Sequence, residues 1–296
     1  MSQAANVRAG LASVTVALAL IGLKGYASWT TGSAAMLGSL ADTALDLIAS
    51  LVTLYSVRLA ATPADRQHRF GHGKAEAIAA FFQVVLISLS AFWIALHSIR
   101  RLTSGSGPDH AGAGIVVSLI ALALTLLLVS YQRRVIARTG SLAISTDHLH
   151  YQSDLLLNAA VICALIIDQM LGLSGADAVA GVGIALWLLY GAYSASHKAI
   201  DQLMDREWPE ERRRAFVEVA NRHPELRGIH DLKTRTAGHH DFVQFHVWVD
   251  PDMSVGEAHR VMDEVEDKLR EVFPDVEILI HPDPAGHVGR GEEMQP

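Results

Sequence analysis

The 296-residue sequence predicts a multi-span α-helical membrane protein, six transmembrane helices followed by a small cytoplasmic α+β domain of ferredoxin-like αββαβ order. Three observations carry that prediction. Half of the residues are hydrophobic and only 19% are charged, giving a mean hydropathy of +0.26. The apolar residues form long blocks up to about residue 200, whereas charged residues recur every few positions from Asp201 onward, which divides the chain between lipid and water. After residue 208 the pattern becomes that of short strands and amphipathic helices.

A bilayer core of about 30 Å needs roughly 20 mostly apolar residues per helix. Six stretches qualify: 9–29, 34–57, 77–99, 112–132, 142–167 and 176–196. The first apolar run is longer than the core of a signal peptide and Lys24 interrupts it without a cleavage site, so it reads as a retained span. Lys24 lies near the end of that span, where snorkelling to the interface is the default. The loops after the second and fourth spans hold Arg58, Arg66, Arg69, Lys74, Arg133, Arg134 and Arg138, against Arg100 and Arg101 on the other side. The positive-inside rule therefore puts both termini in the cytoplasm.

Beyond the spans, PEERRRAFVEVANRHP reads as a helix opened by Pro and acidic residues. IHDLKTRTAG and DFVQFHVWVD read as strands, the second alternating Val243, Phe245, Val247 and Val249 with Gln244, His246 and Trp248. SVGEAHRVMDEVEDKLREVFP opens with a Ser254–Glu257 capping box, and VEILIHPDP is a third strand. The expected organisation is a transport domain over 1–200, a linker over 201–208, a soluble domain over 209–285 and a disordered tail over 286–296. The net charge of −7 gives no indication of nucleic-acid binding, and the lone Cys163 excludes an intrachain disulfide.

The chemistry sits where the apolar pattern is broken. Asp42 and Asp46 lie four apart in the second span, and His150 and Asp154 four apart in the fifth. Residues at i and i+4 share a helix face about 5–6 Å apart, so each helix offers two convergent ligands. If the faces meet, three carboxylates and an imidazole surround one point, a set suited to a tetrahedral divalent metal. A single such residue would commonly be a helix-packing hydrogen bonder, but two matched pairs are poorly explained in that way. Empty carboxylates at that depth must take protons or metal, a physical basis for exchanging one for the other. Asp147, one turn before His150, reads as either a helix cap or a relay group.

Two further sets stand outside the membrane. Asp65, His68 and His72 occur at metal-ligand spacing in a glycine-bearing loop, which spacing alone leaves open between a second metal site and a solvated turn. Eight of the fifteen histidines follow residue 220. Among them His230, His246, His259 and His281, with Asp283, come from three strands and a helix and admit either metal binding or a solvated surface.

The strings GSLADTALDLIASL, DRQHRFGHGKAE, DHLHYQSDLLLNAA, HDLKTRTAG and IHPDP resemble the bacterial cation diffusion facilitators, specifically the ferrous-iron and zinc efflux branch, over nearly the whole chain. The resemblance implies a homodimeric metal–proton antiporter of the inner membrane whose substrate is Zn(II), Fe(II) or Cd(II). It implies a transport site of Asp42, Asp46, His150 and Asp154 and a loop site of Asp65, His68 and His72. It also implies a binuclear cytoplasmic site in which His230, His246 and Asp283 hold one ion and His259, His281 and Asp283 the other. Lys74 and Asp205 match a charged pair that locks protomers together, and Leu149 an apolar gate. Pro282 departs from the pattern, since relatives often carry Gln there. A membrane-embedded metal hydrolase is disfavoured by the lack of H-E-x-x-H and by the absence of an open ligand position. A non-transporting metal sensor fits the soluble domain but leaves the intramembrane carboxylates unexplained. Ligand chemistry alone also admits Mn(II), and the absence of cysteine from these ligand sets argues against a site tuned for soft ions.

Overall fold

The computed structural model describes residues 2–31, 34–104, 115–171, 176–222, 224 and 228–286. It divides into two compact units, Met1–Ile200 and Asp201–Pro296. Residues 287–296, all but the first of the expected tail, lie outside the described residues.

The first unit is built from helices α1 (Ser2–Thr31), α2 (Ala34–Ala60), α3 (Ala75–Ser104), α4 (Ile115–Thr139), α5 (Leu142–Leu171) and α6 (Ala176–Leu203). Among the described residues, five stretches are long and apolar enough to cross a membrane: Gln3–Thr30, Ser39–Ala60, Ala75–Arg100, Leu119–Thr139 and Ala178–Leu203. The expected fifth span, α5, is 30 residues long, and part of its apolar C-terminal half lies outside the residues whose side chains the structure describes. Its N-terminal half carries Thr146, Asp147, His148, His150, Gln152, Ser153 and Asp154, residues tolerated at that depth only against other helices or a polar cavity.

Apolar bulk on this unit points outward. Trp29, Tyr55, Trp93, Leu127 and Tyr190 are exposed, while Ser13, Ser50, Thr53, Gln83 and Gln132 are buried. That inversion suits lipid as solvent, where helices associate through close packing and polar contacts. A side chain at Gly10 of α1 would meet the Leu54 backbone of α2 at 3.1 Å, so glycine lets those two helices approach closely. The buried Asp147 of α5 ties the bundle together. Its Oδ2 accepts from Ser13 Oγ of α1 at 2.7 Å and Gln132 Nε2 of α4 at 2.8 Å, and its Oδ1 from Gln83 Nε2 of α3 at 3.3 Å. Gln83 also donates to Thr53 of α2, and Tyr151 pairs with Ser50 of α2 at 2.8 Å. Of the two sequence readings of Asp147, this network removes the simple helix cap.

The second unit contains α7 (Glu210–Ala220), β1 (Ile229–Ala237), β2 (His240–Val249), α8 (Val255–Val272) and β3 (Val276–Pro284). The sheet order is β1-β2-β3, antiparallel between the first pair and parallel between the second. Strand alternation turns Val243, Phe245, Val247 and Val249 toward Phe216 of α7 and Val261, Val265 and Leu269 of α8, forming one core. Trp208, at the end of the sequence-read linker, is buried in that core. The other sheet face keeps its polar residues.

The capping box on α8 forms as expected. Glu257 N–H donates to Ser254 Oγ at 3.3 Å, and Glu257 Oε2 accepts from Ser254 N–H at 2.9 Å. The Ser254 hydroxyl and then its backbone N–H hold the Glu257 carboxyl below its ordinary range. A folded-state pKa below the unfolded value of about 4.3 stabilises the domain above that pH, and the contribution is lost as pH falls through the folded value. Glu257→Gln is expected to lower the Tm of the full chain at pH 7 and to converge on wild type once the pH has fallen below the lowered folded-state value; a pH series of thermal melts checks this.

Candidate metal centres

Three clusters of ligand-bearing side chains occur among the described residues. The first lies between α2 and α5. One ligand atom each from Asp46, His150 and Asp154 lies within 4.8 Å of the others, and His150 Nε2–H donates to Asp46 Oδ1 at 2.8 Å. The helical i, i+4 spacing brings His150 and Asp154 onto one face, and packing of α2 on α5 supplies Asp46. Asp42, one turn from Asp46, is exposed and outside this three-atom cluster. Leu149 packs with Val84, Ile87, Leu188 and Ala192. Its methyl Cδ2 fills the notch left by Gly191 of α6, where an added Cβ would lie at 2.9 Å.

The second cluster is the loop between α2 and α3, where ligand atoms of Asp65, His68 and His72 lie within 4.8 Å of one another. Asp65 Oδ1 accepts from the N–H groups of His68 at 2.6 Å and Gln67 at 2.8 Å, a turn that folds the carboxylate back toward both imidazoles. Those bonds, the His68 one foremost, hold the Asp65 carboxyl below its usual range. His72 Nε2 lies 3.1 Å from His68 Nδ1, and Thr62 Oγ1 orients the other His72 nitrogen at 2.9 Å.

The third cluster occupies the open face of the sheet in the second unit. His230, His246 and Asp283 come together from β1, β2 and β3, again within 4.8 Å. Register explains it: His246 stands opposite His230 on one side and His281 on the other. Asp283 Oδ2 accepts from His246 Nδ1 at 2.8 Å and His230 Nε2 at 3.1 Å. Burial pushes the Asp283 carboxyl up, but these bonds and the nearby imidazoles outweigh it and leave it lowered. His281 Nε2 is 3.4 Å from Asp283 Oδ1. His259 is apart: it sits on α8, in the layer over the opposite sheet face, exposed, with Asp263 at 3.7 Å. Pro282 lies between two residues of the open face and so turns to the α8 side, beside Ala258 and Met262.

Sequence reasoning missed two residues here. Trp248, on the same face as His246, stacks on His230 with ring centroids 4.1 Å apart and 15° between planes. A bulge between His230 and Lys233 sets Asp231 at φ 46° and swings its carboxylate to 3.8 Å from His246 Nε2. Lys233 Nζ, at 2.8 Å, lowers the pKa of Asp231. The alternation of β2 could have pointed to Trp248; no local signal marks the bulge. Trp248→Ala is expected to weaken metal binding at this cluster about tenfold by freeing the His230 ring, a support role comparable to other groups behind metal ligands. Calorimetric titration of the full chain measures it.

Bundled helices that hold carboxylates and an imidazole together inside apolar segments, with a metal-ligand-bearing domain appended, define a membrane transporter of metal cations. The chain belongs to the cation efflux family: residues 10–204 match the cation efflux transmembrane domain and residues 208–285 the cation efflux protein cytoplasmic domain. It is similar to the cation-efflux pump FieF of Pectobacterium atrosepticum, 42% identical over 280 residues that cover 95% of this chain and 93% of that one. The cation-efflux pump FieF of Cronobacter sakazakii is 40% identical over 288 residues, 97% of this chain and 96% of that one. Among solved structures, the cytosolic domain of a cation diffusion facilitator family protein covers 26% of this chain and 93% of its own, at 26% identity and a TM-score of 0.25.

Proposed function

We propose that the chain exports a divalent transition-metal ion, Zn(II), Fe(II) or Cd(II), from the cytoplasm in exchange for protons, by alternating access at the α2–α5 cluster. The observation that carries this reading is the His150–Asp46 hydrogen bond of 2.8 Å within the Asp46, His150 and Asp154 set. The nitrogen and oxygen that share that proton are the atoms a metal would need. Proton and metal therefore compete for the same pair, and occupation by one requires release of the other. Asp42 completes a four-ligand cage by moving one turn's reach along α2 when an ion is present. Histidine suits the exchange because its charge changes near neutral pH.

The protein works as a homodimer in the bacterial inner membrane, both termini in the cytoplasm, with Lys74 and Asp205 as the charged interlock between protomers. Leu149, seated against Gly191, closes the apolar side of the site. Asp65, His68 and His72 hold an ion at the loop. His230, His246 and Asp283 hold a regulatory ion on the sheet, and His281 with Asp283 a second. His259 lies in the layer over the opposite face, so its part in that second site is played across the dimer.

The test is transport by purified protein in sealed vesicles holding a pH dye, with Zn(II), Cd(II), Fe(II) and Mn(II) each offered at two pH values. Metal uptake with opposing proton flow is expected. Uptake without proton flow would overturn antiport, and no uptake would leave the sensor reading in its place.

A further inference from the structure

Lys24 of α1, near the end of its span, turns its ammonium onto α2. Its Nζ donates to Thr43 Oγ1 of α2 at 2.7 Å and to the Ser39 carbonyl of α2 at 3.4 Å, and it is half-buried. Thr43 in turn donates to the same Ser39 carbonyl at 3.0 Å, which fixes the direction of its accepting lone pair toward the ammonium. Thr43 adjoins Asp42 in the chain. The partners that anchor the ammonium are neutral, and since Thr43 also lies one helical turn before Asp46 on α2, they hold it beside the α2 half of the cage.

An ammonium has three donors and no acceptor, so it takes no place in a metal's coordination shell. What it supplies is a fixed positive charge. A cage of three ionised carboxylates and a neutral imidazole carries one negative charge more than a divalent ion cancels. A single cation held beside it removes that excess, which inside a membrane is otherwise expensive. We infer that Lys24 is the permanent counter-cation of the transport site, neutralising the metal-loaded cage and holding its affinity low enough for the ion to leave. The inference rests on the transport site proposed above.

The experiment uses the full-length chain with the other two clusters disabled by His68→Ala, His72→Ala and His246→Ala, and measures Cd(II) affinity and vesicle transport. Lys24→Gln, which keeps a donor for Thr43 but loses the charge, is expected to bind Cd(II) about tenfold more tightly and to turn over several-fold more slowly. Lys24→Arg, which keeps the charge, is expected to stay within about twofold of the parent. Lys24→Met serves as the second neutral variant should the first not fold. A merely structural lysine gives weaker or unchanged binding when replaced, and either result overturns the inference. Asp154→Ala in the same background separates the two ideas. If it abolishes binding while Lys24→Gln leaves affinity unchanged, only the role of Lys24 falls; if binding survives, the transport site itself is misplaced.

Discussion

Asp154→Ala is expected to reduce metal-driven proton flux in reconstituted vesicles to the background of protein-free vesicles. The substitution removes one of three ligand atoms gathered within 4.8 Å and leaves a two-point site on two different helices. Loss of a group merely behind a ligand typically costs ten- to a hundredfold in metal affinity, so loss of the ligand itself costs more. Asp42→Ala makes an informative companion, because Asp42 stands outside the three-atom cluster. If loading draws it in, both variants lose transport; if it never ligates, Asp42→Ala retains it. Undiminished flux in Asp154→Ala would remove the assignment of this cluster.

Asp147→Leu is expected to destabilise the protein by about 2 kcal/mol, because it removes the buried acceptor shared by Ser13, Gln132 and Gln83 and leaves them only their remaining contacts, Ser13 with the Ala9 carbonyl, Gln132 with Ser13 and Gln83 with Thr53. Asp147→Asn preserves the shape and one acceptor oxygen and is expected to lose about 1 kcal/mol. Unfolding of the full chain in detergent gives both values. A leucine variant as stable as wild type would show that the network contributes only geometry.

The architecture was legible because its signals are periodic and local. Long apolar blocks marked the helices, and alternation on β2 put the valines on one side and His246 on the other, where the core and the open face are found. The i, i+4 spacing likewise gave the His150–Asp154 face. What the sequence did not carry were directions set by a second helix or strand. Whether Asp42 and Asp46 reach one point depends on the rotation of α2 against α5, which spacing within α2 does not encode. The contact of Lys24 with Thr43 was invisible in the same way, because Thr43 belongs to another helix. The donors to Asp147 lie 15, 64 and 134 residues away along the chain. His259 shared only its residue type with the sheet histidines, and layer assignment separates them.

The order of the sheet gives the cytoplasmic cluster a mechanical meaning. With strands in the order β1-β2-β3, His230 and Asp283 sit on the two edges and His246 on the centre. An ion held by those three would work as a rivet through the width of the sheet, clamping both edge strands to the middle one, and its binding free energy would enter strand pairing directly. Withdrawing the ion would then be felt first at the free margins of the sheet, as faster amide exchange along β1 and β3 while β2 stays protected.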